Sequence, residues 1–342
     1  VATQVNGILE TNLAGTVQID HIAALGLGGA CGVRARVYDP EGVQVIHVDG
    51  VCVRIRALEA ARSALFGKGP IAIDVPSASV GNVDVNLDAD RTGNLRIANA
   101  FAAKKPPTPK KPNEPPGRGV RVEAPVVRLD HAWVHGTPPG APLVDADLSG
   151  LEARAYVDPS VTRAELDRVH LVTRSLPRGA DPRGTIGGKL AIPAPNGQGM
   201  DVQAVFEGRI AGVRATLEAR MNDRRIDARF DAHDPTGGQM SSIVDGIAIR
   251  DPISLHVEAH GDLPRVETQA KLLLGKARLD ASAIVVAGAS TEINGSVSAR
   301  NVDVSAVSRG APETNVGLDA RAALVFDDGG IRCEASFHTL PG

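Results

Sequence analysis

Apolar and polar positions alternate over long runs between residues 15 and 101, the signature of strands with one buried and one wet face. Val33, Ala35 and Val37 alternate with Arg34, Arg36 and Tyr38 up to the turn Asp39-Pro40-Glu41-Gly42, and Ile46 and Val48 resume on the far side. Alternation flanking a Pro/Gly turn predicts a hairpin. Past Asp49-Gly50 the apolar residues change phase to Val51, Val53 and Ile55. One extra residue re-aims every side chain beyond it, so a bulge is predicted at the glycine. Further strands are predicted at 15–20, 71–75 and 83–88, and the turn 90–94 leads into another at 95–97. Between them Leu58, Ala61 and Leu65 fall at helical spacing until Gly67 and Gly69-Pro70 stop the run, which predicts one short helix.

From residue 120 strand candidates follow one another to residue 326 with turn residues between them, the spacing of an all-β meander, barrel, sandwich or solenoid. Thr162-Arg163-Ala164-Glu165 has the form of a helix capping box, and residues 241–245 read as a helical turn. The stretch 104–117, KKPPTPKKPNEPPG, is a different material. Proline at that density blocks ladder hydrogen bonds and favours an extended polyproline conformation, so it reads as a semi-rigid linker or external loop. The expected organisation is a β unit with one helix over 1–103, a linker over 104–118, and a repeating β segment over 119–342.

Composition sharpens this picture in two places. A formal net charge of -3 argues against a nucleic-acid partner, because binding phosphate needs a basic surface. Aromatic residues make up 3% and hydrophobic residues 43%, so any apolar face is built of Val, Ala, Leu and Ile. A genome biased towards Ala, Val, Gly and Arg would leave the same trace. No apolar stretch approaches the roughly 18 residues that a spanning helix requires. The chain opens on Val1 and stops soon after a strand-like run, which reads as a segment of a longer protein whose leader or anchor lies outside it.

Candidate chemistry is sparse. His131 and His135, like His256 and His260, have the i, i+4 spacing of a helical zinc pair, but they lie in strand-like runs where that spacing separates Cα atoms by about 13 Å. Residues 184–190, GTIGGKL, have Leu190 where a phosphate loop needs Ser or Thr, and Arg183 where it needs the first glycine. Asp84, Asp88, Asp90 and Asp303 sit on the polar phase or in turns, where solvated-face and Asx-turn roles account for them. The reading is therefore a protein that is no enzyme and carries no cofactor or metal.

Some of these runs also carry a resemblance. GTVQID, VRARVYDPEG, LFGKGPIAIDVPSASV and VDVNLDADRTGNLRIANAF, then DPISLHVEAHGDLPRVETQAKLLLGKARLDASAIVV and GSVSARNVDVSAVSRGAP, resemble the AsmA-like family of bacterial envelope proteins, closest to its TamB branch. The resemblance rests on patterns of alternation, Gly and Asp, and this chain lacks the family's anchor and distal C-terminal domain. It implies a mostly β fold, an elongated antiparallel β-groove with one or two short helices. It also implies a periplasmic location with inner-membrane attachment through an absent segment, acyl chains of phospholipid as ligand, and an outer-membrane assembly barrel as partner. An oxidising compartment raises the question of a bridge between Cys31 and Cys52. Their numbers sum to 83, as do those of Asp39 and Gln44, so a four-residue loop sets the cysteines opposite. A two-residue loop misses by two positions, and buried free thiols are the alternative.

Two functions then fit. In the first, apolar side chains line a lipid groove, with Val17, Ile19, Val33, Val37, Ile71, Ile73, Val75, Val83, Val85, Leu87, Leu95 and Ile97 as the lining, and phospholipid passes along it towards the outer membrane. In the second, the sheets close into a packed scaffold whose edge strand recruits an assembly partner by β-augmentation. Alternation is common to both; what separates them is whether the apolar face meets another sheet about 10 Å away.

Overall fold

The computed structural model describes residues 13–102, 104, 118–139, 143–174, 182–193, 199–241, 249, 251–286, 291–306, 312–327 and 330–340, and these are overwhelmingly strand. Two compact units are present, Val1–Ser175 with Lys189–Gly197, and Leu176–Gly188 with Gln198–Gly342.

In the first unit the order is β1 Thr16–His21, β2 Ala24–Gly26, β3 Gly29–Tyr38, β4 Gln44–Arg54, α1 Ala57–Phe66, β5 Ile71–Asp74, β6 Ser77–Asn86, α2 Arg96–Phe101, β7 Val120–Gly136, β8 Val144–Val157 and β9 Val161–Thr173. β1 and β2 pair with β3, and β3, β4 and β6 follow in antiparallel succession. β5 and β6 then lie parallel to β7, and β7, β8 and β9 are antiparallel. The sheet is thus mixed rather than purely antiparallel. A parallel pair needs a long crossover, which the chain supplies between Asn86 and Val120. The expected linker falls almost wholly outside the described residues, and the strands on its two sides are hydrogen-bonded to each other.

The hairpin of β3 and β4 forms with its bulge, but its last pair is Tyr38↔Gln44 rather than the Asp39–Gln44 pair expected of a four-residue loop, and a shift beside Tyr38 restores the sum of 83 at Val37↔Ile46. Gly50 adopts φ 72° and the register shifts between the pairs Val33↔Val51 and Ala35↔Val48. Alone, that bulge would slide Cys52 past Cys31. Gly32, with φ 64°, makes a second bulge on the facing strand, and Ala30↔Val53 returns to the sum of 83. Cys31 and Cys52 are joined as a disulfide with Cα atoms 4.0 Å apart. The phase change also spreads beyond the hairpin. Between Asp49↔Asn82 and Cys52↔Ser79, Gly50 faces Gly81, and the apolar set of β6 switches there from Ala78 and Val80 to Val83 and Val85. β7 switches between Leu129 and Ala132, and β8 between Leu148 and Leu151 at Gly150, whose φ is 62°. The change of apolar phase thus recurs in step across β4, β6, β7 and β8 while their registers continue unshifted there.

Two predicted elements change type. Residues 95–97 are not a strand: Leu95 precedes α2, and Arg96 and Ile97 belong to it. Arg96 holds α2 to the β3–β4 turn, reaching Asp39 at 2.5 Å and Glu41 at 2.9 Å. Residues 162–165 lie inside β9 rather than opening a helix. The cause is Asp158, which accepts hydrogen bonds from Ser160 Oγ (2.6 Å), Tyr156 Oη (2.6 Å) and the N–H groups of Ser160 and Val161, fixing a tight β8–β9 turn. These donors hold its carboxyl well below the usual carboxylate range. α1 forms and ends at Gly67 as expected, with Leu58 and Leu65 on its solvent side.

The strand β10 Arg183–Pro193 is divided between the units. The second unit continues with β11 Asp201–Ile210, β12 Val213–Asn222, β13 Arg225–Asp234, the single turn α3 Gly238–Ser241, β14 Ile253–Asp262, β15 Arg265–Leu274, β16 Ala277–Val286, β17 Thr291–Val302, β18 Val316–Asp327 and β19 Gly330–Leu340. Of the helical turn expected at 241–245 only Ser241 is described, as the last residue of α3; residues 242–248 lie outside the described ones. From β11 to β19 each strand pairs antiparallel with the next, and among the described residues no pair joins β11 to β19, so this sheet is open. Two-residue turns set the early register. Ala211 and Gly212, with φ 55° and 81°, make the turn between Ile210 and Val213 with both φ values positive, which matches the twist of the flanking strands.

Candidate functional site

Cross-strand partners point to the same face of a sheet, so the registers assign every side chain to a side. In the first unit Val17, Val37, Ile46, Val85, Val134 and Ala146 stand opposite one another across β1, β3, β4, β6, β7 and β8. Ile19, Ala35, Val48, Val83, Ala132, Leu148 and Leu171 form the neighbouring row and extend it to β9. In the second unit Val202, Met221, Ile226, Gly261, Val266, Val285, Ile293, Leu324 and Cys333 run across all nine strands from β11 to β19. Two residues along lies a row of small side chains: Ala204, Ala219, Ala228, Ala259, Thr268, Ala283, Gly295, Ala322 and Ala335.

These faces are incompletely covered. The residues of the second-unit row from Val202 to Leu324 are all half-buried, and Leu217 and Val297, two steps beyond the alanines, are exposed. The predicted lining residues divide into groups. Val17, Val37 and Ile97 pack with Val45, Ile46 and Ala100 into a small core under α2. Val45 enters it because the register shift beside Tyr38 leaves an extra residue on β4. Ile19, Val33, Val83 and Val85 share the apolar face and stay half-buried. Ile71 and Ile73 lie on β5 opposite Val120 and Val122, while Val75, Leu87 and Leu95 sit half-buried just outside the strands. The second unit's rows were not singled out from sequence, although its equal strands and short turns were the available signal.

The opposite faces carry paired charges. Arg36 makes a two-pronged bond to Asp20 at 2.6 and 2.8 Å, and Arg34 reaches Asp49 at 3.3 Å. The histidines considered as metal pairs lie beside acids. His131 is 3.1 Å from Asp147, His135 is 2.8 Å from Asp84 and stacks on Trp133, and His260 is 3.7 Å from Glu267. Asp90 and Asp303 accept bonds from backbone N–H groups two residues ahead, as Asx turns do. Hollows of about 590 and 680 Å³ on this side of the second unit are walled by charges of both signs, including Glu218, Arg229 and Glu258 in one and Lys271, Asp280 and Asp319 in the other.

His256 is the most tightly held of these groups, 2.7 Å from Asp231 and 3.1 Å from Glu258. Asp231 first and Glu258 second raise its pKa, while Arg229 and then His256 lower that of Asp231. The histidine's contribution to stability is complete below its unfolded pKa of about 6.5 and is lost as pH rises through its higher folded value; the aspartate's is lost as pH falls through its depressed one. NMR titration should give His256 a pKa above 6.5, and Asp231→Asn should move it down. A titration unmoved by the substitution would disprove the coupling.

Chemically, the arrangement offers broad aliphatic surfaces backed by ion-paired faces, with each apolar row running across the strands. No family model, curated protein or solved structure matches the chain.

Proposed function

We propose that this chain is a non-enzymatic lipid-binding segment of the bacterial periplasm. Its apolar faces hold phospholipid acyl chains and pass them along the rows towards the outer membrane, with head groups left in water. One observation carries the reading: the aliphatic rows cross strand after strand, and in the second unit the row from Val202 to Leu324 is only half-buried along its length. Apolar surface left wet costs about 25 cal/mol for each Å², so such a face recruits acyl chains or detergent where they are present. Length supports it too. Nine strands at about 4.8 Å give a track of about 38 Å, against the ~15 Å that one leaflet's chains occupy in a ~30 Å hydrocarbon core. Rows without charged side chains, in which Thr268 brings a hydroxyl and Cys333 a thiol, imply weak selectivity among lipids.

Protein produced in a membrane-containing host should retain phospholipid, seen by native mass spectrometry and solvent extraction. Lipid-free protein would favour the other reading, a docking scaffold, for which the exposed strand β19 is the available edge.

A further inference from the structure

At the end of the first unit where β3 begins and β4 finishes, large apolar side chains project into water. Leu58, Leu65 and Phe66 of α1 are 83, 75 and 80% exposed, and Leu25 in β2 and Leu27 in the turn that follows it are 56 and 85% exposed. Turn and helix are neighbours: Ile55 N–H donates to the Gly28 carbonyl at 2.9 Å, and Gly29 is the cross-strand partner of Arg54. α1 is attached by its small side. Ala57, Ala60 and Ser63 are half-buried, and Ser63 Oγ accepts the Ala72 N–H at 2.9 Å. That leaves Leu58, Ala61, Arg62 and Leu65, spaced i, i+3, i+4 and i+7, as the outer stripe.

The stripe is held in place. Arg118 donates to the carbonyls of Ser63, Ala64 and Gly69 at 2.7, 2.7 and 2.9 Å, and Arg56 pairs with Asp74 at 2.8 Å. Around it Arg54, Arg62 and Lys68 are exposed and form no ion pair among the described residues, while Glu59 lies near Arg56. Side chains this exposed project rather than line a hollow, so they suit a soft phase that closes around them. Apolar projections ringed by cations match an interface with an apolar interior and an anionic rim.

We propose that this end of the first unit docks on the surface of a bilayer containing anionic phospholipid. Leu25, Leu27, Leu58, Leu65 and Phe66 enter the acyl boundary, and Arg54, Arg62 and Lys68 meet the phosphates. The proposal rests on α1 and its neighbouring turn and stands whether or not the sheets carry lipid. In co-sedimentation, the full chain binds vesicles of phosphatidylethanolamine with phosphatidylglycerol and binds pure phosphatidylcholine vesicles several-fold less.

The combined variant Leu58→Ser, Leu65→Ser, Phe66→Ser loses about tenfold or more in vesicle affinity, because three apolar insertions vanish. These side chains are at least three-quarters exposed, so its circular dichroism matches the parent's, and its extractable phospholipid is unchanged, which separates this surface from the sheets. Arg62→Glu with Lys68→Glu removes most of the preference for anionic vesicles. Failure of the parent to sediment with anionic vesicles, or equal sedimentation of the serine variant, would overturn the proposal; so would a parent that ignores vesicles yet forms a stoichiometric complex with a protein.

Discussion

Val83→Asp and Val266→Asp are each expected to strip bound phospholipid from the protein without unfolding it. Both residues are half-buried members of apolar rows, Val83 between Val48 and Ala132 and Val266 between Gly261 and Val285. Where the row faces an acyl chain, losing a valine contact costs about 1.5 kcal/mol of lipid binding, a weakening of about tenfold. The fold itself gives up only about 1 kcal/mol or less, because in the absence of lipid the new carboxylate reaches water. In a closed sandwich the same substitutions would bury an unpaired charge and destabilise by several kcal/mol. Ser296→Asp, on the opposite face, serves as control and should leave lipid content unchanged. Lipid extraction beside urea denaturation separates the cases: substituted proteins that unfold, or that keep their lipid, would remove the case for an open apolar track.

Reduction of the Cys31–Cys52 disulfide, or Cys31→Ser with Cys52→Ser, is expected to destabilise the first unit by about 3 kcal/mol. The two residues are 21 apart in sequence, and closing a loop of that size removes about this much chain entropy from the unfolded state. The bond sits at the Gly32 bulge of β3, next along the ladder from the opposite bulge at Gly50 of β4, so it fixes a register that two irregular strands leave weakly specified. Urea unfolding with and without reductant measures the loss. Identical midpoints would contradict a stabilising bridge, and a drop confined to transitions reported by Trp133 would locate it in the first unit.

Much of the first unit was legible because its signals are local. Alternation about the turn 39–42, the phase change at Gly50 and the stop at Gly67 each depend on a few adjacent residues, and each predicted its element. The errors share a cause. Leu95-Arg96-Ile97 alternates like a strand, but Arg96 bonds to Asp39 and Glu41 from 55 and more residues away, and Ile97 packs under the same turn. Thr162-Arg163-Ala164-Glu165 carries a helix start signal that the turn at Asp158 overrides, because antiparallel pairing with β8 uses the same backbone groups.

The candidate site divides along the same line. Alternation by itself determined that the chain makes strands with one aliphatic and one polar face, since side-chain direction has a period of two whatever lies around it. The charge balance and the near absence of aromatics followed from composition. Only the tertiary structure decided which strands are neighbours: that β6 meets β7 in parallel, that Gly50 faces Gly81, and that the alanines from Ala204 to Ala335 fall into one row. It also placed Val17, Val37 and Ile97 beneath α2 and turned Leu58 and Leu65 outward. Register and coverage are sums over distant contacts, and each contact depends on where every earlier turn and bulge has put the chain. A local pattern can therefore name a face but not what lies against it.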